Sequence, residues 1–296
     1  MGKKKILVTG SNGQLGHALQ SIYAGESEYE MLWTDAPGIA CERTLDITAP
    51  KEVLALFEEV RPDYVINCAA YTNVDACEKN RELAFKVNGE GPGNLAKAAR
   101  ETGAIMVHIS TDYVFDGKPR ELPYVETDMP DPLSAYGESK LMGENAVKEN
   151  NRYFILRTAW LYGEGHNFVR TMLRIAKTHE RITVVNDQLG SPTSALELAR
   201  AIRFLLPSAH YGLYHATAEG SCSWAEFAQR IFELAGLETT VVPVSTKQYM
   251  EMVPGQAKRP AFSVLENAGL KALGYEFKTW QAGLEEYMQD RKEMPT

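Results

Sequence analysis

Tyr136 and Lys140 stand four residues apart in the run Ser134-Ala135-Tyr136-Gly137-Glu138-Ser139-Lys140. On a helix, that spacing sets a phenol and an ammonium on one face. A free tyrosine has a pKa of about 10, too high to exchange a proton readily at neutral pH. An ammonium at ~4 Å contributes on the order of 4 kcal/mol at an effective dielectric of 20, enough to lower that pKa by about three units before desolvation is subtracted. The pair could therefore protonate a developing alkoxide, with Tyr136 as the acid and Lys140 as its tuner. Fourteen tyrosines and sixteen lysines produce about 0.8 such pairs by chance, so the neighbours must decide between this chemistry and an ordinary surface pair. Thr111 follows the apolar run 105–109 and offers a hydroxyl that could hold a carbonyl, or could simply satisfy local backbone.

A second group lies at the start of the chain. Gly10-Ser11-Asn12-Gly13-Gln14-Leu15-Gly16 follows the apolar run Ile6-Leu7-Val8 and opens a helical stretch. Glycines there permit a tight turn and close backbone approach to a pyrophosphate, whose charge sits on the helix N-terminus. Asp35 comes 19 residues after Gly16, at the end of the next apolar run, where a carboxylate can accept hydrogen bonds from an adenosine ribose. A strand-end turn cap is the alternative. An acid at this place disfavours a 2′-phosphate, and the next cation in sequence is Arg43. Asp46-Ile47 has the polar-plus-apolar character suited to an adenine edge, and equally that of a helix start.

These groups need a scaffold that brings residues 10–16, 35, 111 and 136–140 together. Short apolar runs alternate with helix-period stretches, the pattern of β-α units and a parallel sheet. Strands are expected at 5–8, 29–34, 64–67, 105–109 and 154–156, and helices at 15–22, 51–60, 82–87, 94–101 and 136–148. Beyond about residue 160 the alternation turns irregular. Helices are expected there at 168–179, 195–206, 224–235 and 280–289, among strands at 183–185, 213–215 and 241–244. The fold class predicted is α/β, a Rossmann-like doubly wound parallel sheet with a smaller α+β substrate-binding lobe. Residues 1–165 are mainly the dinucleotide-binding domain and 166–296 mainly the substrate lobe, with returns to the first domain allowed. A 23-residue stretch, 112–134, carries four prolines directly before the Tyr/Lys pair, a length usually functional when it occurs.

Composition narrows the partners. The formal charge of −8 argues against a nucleic-acid partner. Residues 1–150 carry 15 Lys+Arg against 24 Asp+Glu and residues 151–296 carry 16 against 15, so an anionic substrate is better received by the second half. Apolar runs fall far short of the ~20 residues a membrane-spanning helix needs. Lys3-Lys4-Lys5 is followed by too short an apolar run for a signal peptide, which predicts a cytoplasmic protein. Four cysteines without a Cys-x-x-Cys pair, and six histidines without a His-Glu-x-x-His, signal neither disulfides nor zinc.

The chain resembles the extended short-chain dehydrogenase/reductases, and within them the dTDP-4-dehydrorhamnose reductases. The likeness is carried by residues 67–75, Ser110-Thr111-Asp112-Tyr113-Val114-Phe115-Asp116-Gly117, residues 132–140, residues 156–163, Asp187-Gln188-Leu189-Gly190-Ser191-Pro192-Thr193 and Arg259-Pro260. The glycine turn and the Tyr/Lys pair are shared across the superfamily, whereas the runs at 110–117 and 187–193 are narrower. The resemblance implies that Thr111, Tyr136 and Lys140 form the catalytic set. It implies that Gly10, Gly13, Gln14, Leu15, Gly16, Asp35, Asp46, Ile47, Ala70, Tyr71 and Thr72, with Tyr136 and Lys140, hold the cofactor. It also implies that Thr111, Asp112 and Trp160 meet a deoxysugar nucleotide and that Arg259 meets its diphosphate. For Trp160 the alternative is a core aromatic, and Asp75 and Glu78 read as capping and solvation.

The implied reaction is NAD(P)H-dependent reduction of the 4-keto group of dTDP-4-dehydro-L-rhamnose, the last step of dTDP-rhamnose biosynthesis, with NADP(H) expected and NAD(H) as second candidate. The alternatives are a non-catalytic regulatory subunit resembling that of methionine adenosyltransferase, or a sugar-nucleotide epimerase or dehydratase. A dehydratase usually pairs its threonine with two acids, and here Thr111 is followed by Asp112 alone. Some members dimerise around Mg²⁺ held partly by a glutamate two residues after the last glycine of the turn. Ala18 stands at that place, so no metal is expected, and the chain should be a monomer or a metal-independent dimer.

Overall fold

A computed structural model of the chain describes residues 2–292. In chain order it contains β1 (Lys4–Thr9), α1 (Gln14–Tyr23), β2 (Tyr29–Asp35), β3 (Arg43–Thr44), α2 (Pro50–Val60), β4 (Tyr64–Asn67), α3 (Val74–Lys79), α4 (Arg81–Phe85), a π-helical turn (Lys86–Glu90), α5 (Gly91–Thr102), β5 (Ile105–Thr111), a 3₁₀ turn (Asp112–Val114), α6 (Ala135–Lys148) and β6 (Tyr153–Thr158). There follow α7 (Phe168–Ala176), β7 (Arg181–Val185), β8 (Leu189–Gly190), α8 (Ala195–Leu205), β9 (Gly212–His215), β10 (Cys222–Ser223), α9 (Trp224–Ala235), β11 (Thr240–Val244), α10 (Thr246–Met252), α11 (Ala268–Ala272) and α12 (Trp280–Lys292).

Seven strands form one parallel sheet in the order β3-β2-β1-β4-β5-β6-β9. Parallel strands covered on both faces read as continuous apolar runs, which explains Ile6-Leu7-Val8. Ile6 and Val8 face α1 and α8 through Leu15, Leu19, Leu198 and Ile202. Leu7 faces α2 and α5 through Val53, Phe57, Leu95 and Ala99. This is the α/β doubly wound architecture expected, and the order changes direction between β1 and β4, where such folds open a crevice. Alongside it, α7, α9 and α12 enclose a separate core of Val169, Phe227, Phe232 and Leu284, with β7 and β11 paired beside them.

Short elements such as α3, α10 and α11 are not among those expected from the sequence, and one longer stretch departs from it. The stretches expected as separate helices at 82–87 and 94–101 are one rod from Arg81 to Thr102, bridged by the π turn. The 112–134 stretch is irregular after its 3₁₀ turn, yet tied down: Tyr124 N donates to Val264 O at 2.9 Å, and Ala261 N and Phe262 N both donate to Gly117 O at 3.0 Å.

Beneath α6 lies a buried ion pair. Arg157 of β6 donates through Nε and Nη2 to the two carboxylate oxygens of Glu144, at 2.8 and 2.7 Å, and Ser110 Oγ of β5 donates to the same group at 2.6 Å. Burial pushes the Glu144 carboxyl up, but the Arg157 guanidinium and the Ser110 hydroxyl outweigh it and hold it below its usual value. Removing one partner strands the other charge. Glu144→Ala should destabilise the fold by about 3–5 kcal/mol in denaturant unfolding, whereas Glu144→Leu combined with Arg157→Met should cost much less. Equal losses for the single and double variants would show that the pair contributes through packing alone.

Candidate active site

The site follows from the carboxyl ends of β1, β4, β5 and β6. A cleft of about 710 Å³ opens there, lined by Gly13, Gln14, Leu15, Ala70 and Thr72 on one side and by Thr111, Asp112, Tyr136, Lys140, Trp160 and Arg259 on the other. Eleven of the residues singled out in the sequence therefore share one cavity. A side pocket of about 290 Å³, with Phe168, Met172, Gln188 and Tyr249 on its walls, joins it at Trp224 and Arg259.

The glycine turn is shaped for an anion. Gly10 has φ +68°, and a Cβ on it would lie 2.7 Å from Ala69 N. A Cβ on Gly16 would lie 2.2 Å from Ser11 O, so neither position admits a side chain without rearrangement. Gly13 occupies the N-cap of α1 and no side chain caps that helix, leaving its first-turn N–H groups for a ligand. The donor set fits a dinucleotide pyrophosphate.

Other sequence candidates sit outside the cleft lining. Asp35 accepts from Asn12 N and Ala36 N, each at 2.8 Å, and so braces the glycine turn. Arg43 is held on α2 by Glu59, with Nη1 to Oε1 at 2.7 Å. Asp46 accepts from Thr48 N and Thr48 Oγ1 at 2.8 Å, a local turn at the entry to α2, and Ile47 is buried against Gly91. Tyr71 is fixed through its backbone by Asn88: its N–H donates to Asn88 Oδ1 at 2.8 Å and its carbonyl accepts from Nδ2 at 3.0 Å.

Thr111, Tyr136 and Lys140 meet where β5 ends against α6. Tyr136 is half-buried on the cleft wall, and desolvation holds its phenol above the usual value, with the Thr111 hydroxyl pulling the other way. This differs from the expected lowering by Lys140. The ammonium instead donates to Ile109 O at 2.6 Å, and burial brings its pKa down to about 8 against the opposing pull of Glu144. A phenol that stays protonated at neutral pH is nonetheless the form a proton donor needs. Thr111 Oγ1 donates to Asp112 Oδ1 at 3.0 Å, and burial raises the Asp112 carboxyl to about 6.

Trp160 is neither wholly core nor free. Its indole stacks on Trp224 with centroids 3.5 Å apart and planes 7° apart. Its backbone is left-handed at φ +48°, a conformation that costs a non-glycine residue about 1–2 kcal/mol. The narrow 187–193 run supports it: a Cβ on Gly190 would lie 2.5 Å from the indole, and Thr193 N donates to Trp160 O at 3.4 Å.

Sequence reading missed the residues that set these positions. Asn88, on the π turn and fully buried, also donates to Ser139 Oγ at 3.1 Å, joining the 70–72 loop to α6. Glu78 does not merely solvate its own helix, because its Oε1 accepts from Ala135 N at 2.8 Å, at the first residue of α6. Asp75 likewise reaches Arg259, with Nη2 donating to Oδ2 at 3.1 Å. The π turn had no sequence signature. The capping of α6 by a carboxylate 57 residues away could not be read from local spacing.

Fold and cleft together define a Rossmann-type oxidoreductase of the Tyr-x-x-x-Lys kind. The family model described as RmlD substrate binding domain matches residues 4–293, and the chain belongs to that family. It is 42% identical over 291 residues to the spore coat polysaccharide biosynthesis protein SpsK of Bacillus subtilis, covering 97% of this chain and 98% of that one. The crystal structure of a dTDP-4-dehydrorhamnose reductase from Clostridium acetobutylicum superposes with a TM-score of 0.91 at 46% identity, covering 97% and 99% of the two chains. That of the Bacillus anthracis dTDP-4-dehydrorhamnose reductase, in complex with NADP, gives 0.91 at 42% identity, with coverage of 98% and 100%.

Two outcomes are expected of this geometry. Lys140 carries its charge below about pH 8 and loses it above, so affinity for the anionic cofactor should fall as pH rises through that value. Fluorescence titration of NADPH between roughly pH 6.5 and 9.5 checks it, and a flat profile would contradict the role of the ammonium. For Asp112, the folded value of about 6 lies above the ordinary 3.8, so the folded state binds the extra proton between these values and its stability falls as pH rises through them. Asp112→Asn should therefore be stabilising at pH 7, by roughly 2–3 kcal/mol at most, and near neutral below about pH 4. Unfolding curves at the two pH values decide it.

Proposed function

We propose that this chain reduces the 4-keto group of dTDP-4-dehydro-L-rhamnose to dTDP-L-rhamnose with a nicotinamide cofactor. The observation that carries the reading is the single cleft in which the uncapped α1 N-terminus, Thr111, Tyr136, Lys140 and Arg259 converge. The relatives named dTDP-4-dehydrorhamnose reductase, one of them in complex with NADP, support it. NADP(H) is the expected cofactor. Asp35, turned onto the backbone of Asn12 and Ala36, leaves NAD(H) a second candidate.

Gly13, Gln14 and Leu15 would receive the cofactor pyrophosphate and Ala70–Thr72 would border its nicotinamide half, with Gly10, Gly16, Asp35, Asp46, Ile47 and Tyr71 shaping that wall. When bound, the reduced nicotinamide supplies a hydride to the keto carbon. Thr111 then positions the keto oxygen and Tyr136 donates the proton that the growing alkoxide takes up. Lys140, anchored on Ile109 O, would hold positive charge beside the reacting centre and would meet the cofactor ribose. Asp112 and Trp160 border the deoxysugar, Arg259 receives the diphosphate as a guanidinium suits, and the apolar side pocket takes the nucleoside. No step needs a metal.

In this reading, residues 1–165 mainly hold the cofactor and 166–296 mainly the substrate, with α8 and β9 returning to the large sheet. No helix among the described residues is long and apolar enough to cross a membrane. We place the protein in the cytoplasm as a monomer or metal-independent dimer.

Loss of NADPH absorbance on adding dTDP-4-dehydrorhamnose tests the reaction. Tyr136→Phe should lower turnover by about 10²–10⁴-fold with cofactor affinity nearly unchanged. Undiminished turnover would remove Tyr136 as the proton donor.

A further inference from the structure

We propose that Asp75 is a positioning residue. It latches the Val253–Pro260 segment across the mouth of the cleft and so presents Arg259 to the substrate diphosphate, an inference that rests on the reduction proposed above. α3 begins two residues beyond the 70–72 loop, and Asp75 lies in its first turn. Both carboxylate oxygens leave that helix. Oδ1 accepts from Ala257 N at 2.8 Å and Oδ2 accepts from Arg259 Nη2 at 3.1 Å. One side chain of the Rossmann half thus holds both the backbone and the guanidinium of a segment more than 180 residues further along.

That segment has no helix or strand of its own between α10 and Pro260, and residues 253–255 and 258 are exposed. Arg259 has two further polar contacts: Nη1 donates to Gln256 Oε1 at 3.1 Å within the segment, and the guanidinium meets the Tyr113 hydroxyl beyond β5. Asp75 therefore shares the hold on the side chain while also holding the backbone at Ala257. Gly117 O anchors it only beyond Pro260, through Ala261 N and Phe262 N. Without Asp75, Arg259 would have to surrender much more freedom to meet an anion, and a guanidinium pinned at two of its nitrogens loses less. The opposing effect is that a carboxylate beside Arg259 weakens its attraction for phosphate. Asp75 lines the cleft, but the latch geometry favours positioning, since each carboxylate oxygen accepts a hydrogen bond from the segment.

The experiment compares wild type, Asp75→Asn and Asp75→Ala by calorimetric titration with dTDP and with NADPH, steady-state kinetics, and timed tryptic digestion. Expected is a rise of about tenfold in Kd for dTDP and in KM for the sugar nucleotide in Asp75→Ala, with a smaller rise in Asp75→Asn, which keeps an acceptor for Ala257. NADPH affinity and kcat should stay within about twofold, and cleavage after Lys258 should quicken. Unchanged or tighter dTDP binding would overturn the latch and make Asp75 an electrostatic competitor. A parallel loss of NADPH affinity would overturn it in favour of general disruption. If wild type itself fails to bind dTDP, the substrate reading falls, and the latch with it.

Discussion

The end of the cleft formed by Thr111, Tyr136 and Lys140 is built around Glu144. A lysine ammonium buried beside the end of a strand is costly, and Lys140 exists there because a carboxylate one helical turn on supports it. Glu144 is itself tolerable in a dry interior only because Arg157 meets it with two hydrogen bonds and Ser110 with a third. Arg157 in turn lies over the Phe115 ring at 5.0 Å, so the charge cluster is roofed by the segment that carries Thr111 and Asp112. Since the three partners come from α6, β5 and β6, satisfying one buried charge fixes the helix that bears Tyr136 against the strand that bears Thr111.

A second layer sets the other wall. Asn88 places the 70–72 loop against α6, and Glu78 caps the first turn of that helix. At the strand ends, Thr9 Oγ1 donates to Asn67 Oδ1 at 2.7 Å, and Asn67 Nδ2 lies 3.1 Å from His108 Nδ1. With the asparagine amide as donor, that ring nitrogen accepts, and burial beside Lys140 keeps the imidazole neutral. Three strands are thus crosslinked by polar side chains at the level where the sheet opens. These hydrogen bonds tie the strands at the cleft wall together, although His108 Nε2, which carries the proton of the neutral ring, is buried with no partner among the described residues.

Burial has different consequences for the groups around the cleft. It keeps the Tyr136 phenol protonated, lowers Lys140 towards neutrality and raises Asp112 into the range where it can exchange a proton. Trp160 adds a strained backbone. These are departures from what stability alone would favour, and they gather at one place, as functional sites do.

By itself, the sequence determined the repeating architecture and most of the cleft. Runs such as Ile6-Leu7-Val8 and Tyr64–Asn67 must be buried on both faces, and a parallel sheet does that; the glycine turn and the Tyr/Lys pair are local patterns whose spacing carries their geometry. Short elements such as α3, α10 and α11 escaped because one or two turns show no period. Only the tertiary structure decided which charge meets which. It paired Asp75 with Arg259 and Glu78 with the start of α6, and turned Asp35 onto the glycine turn. It also replaced the expected lowering of the Tyr136 phenol by a rise. Local spacing predicts which side chains can meet along one element, whereas desolvation and partner choice depend on how distant elements close over them.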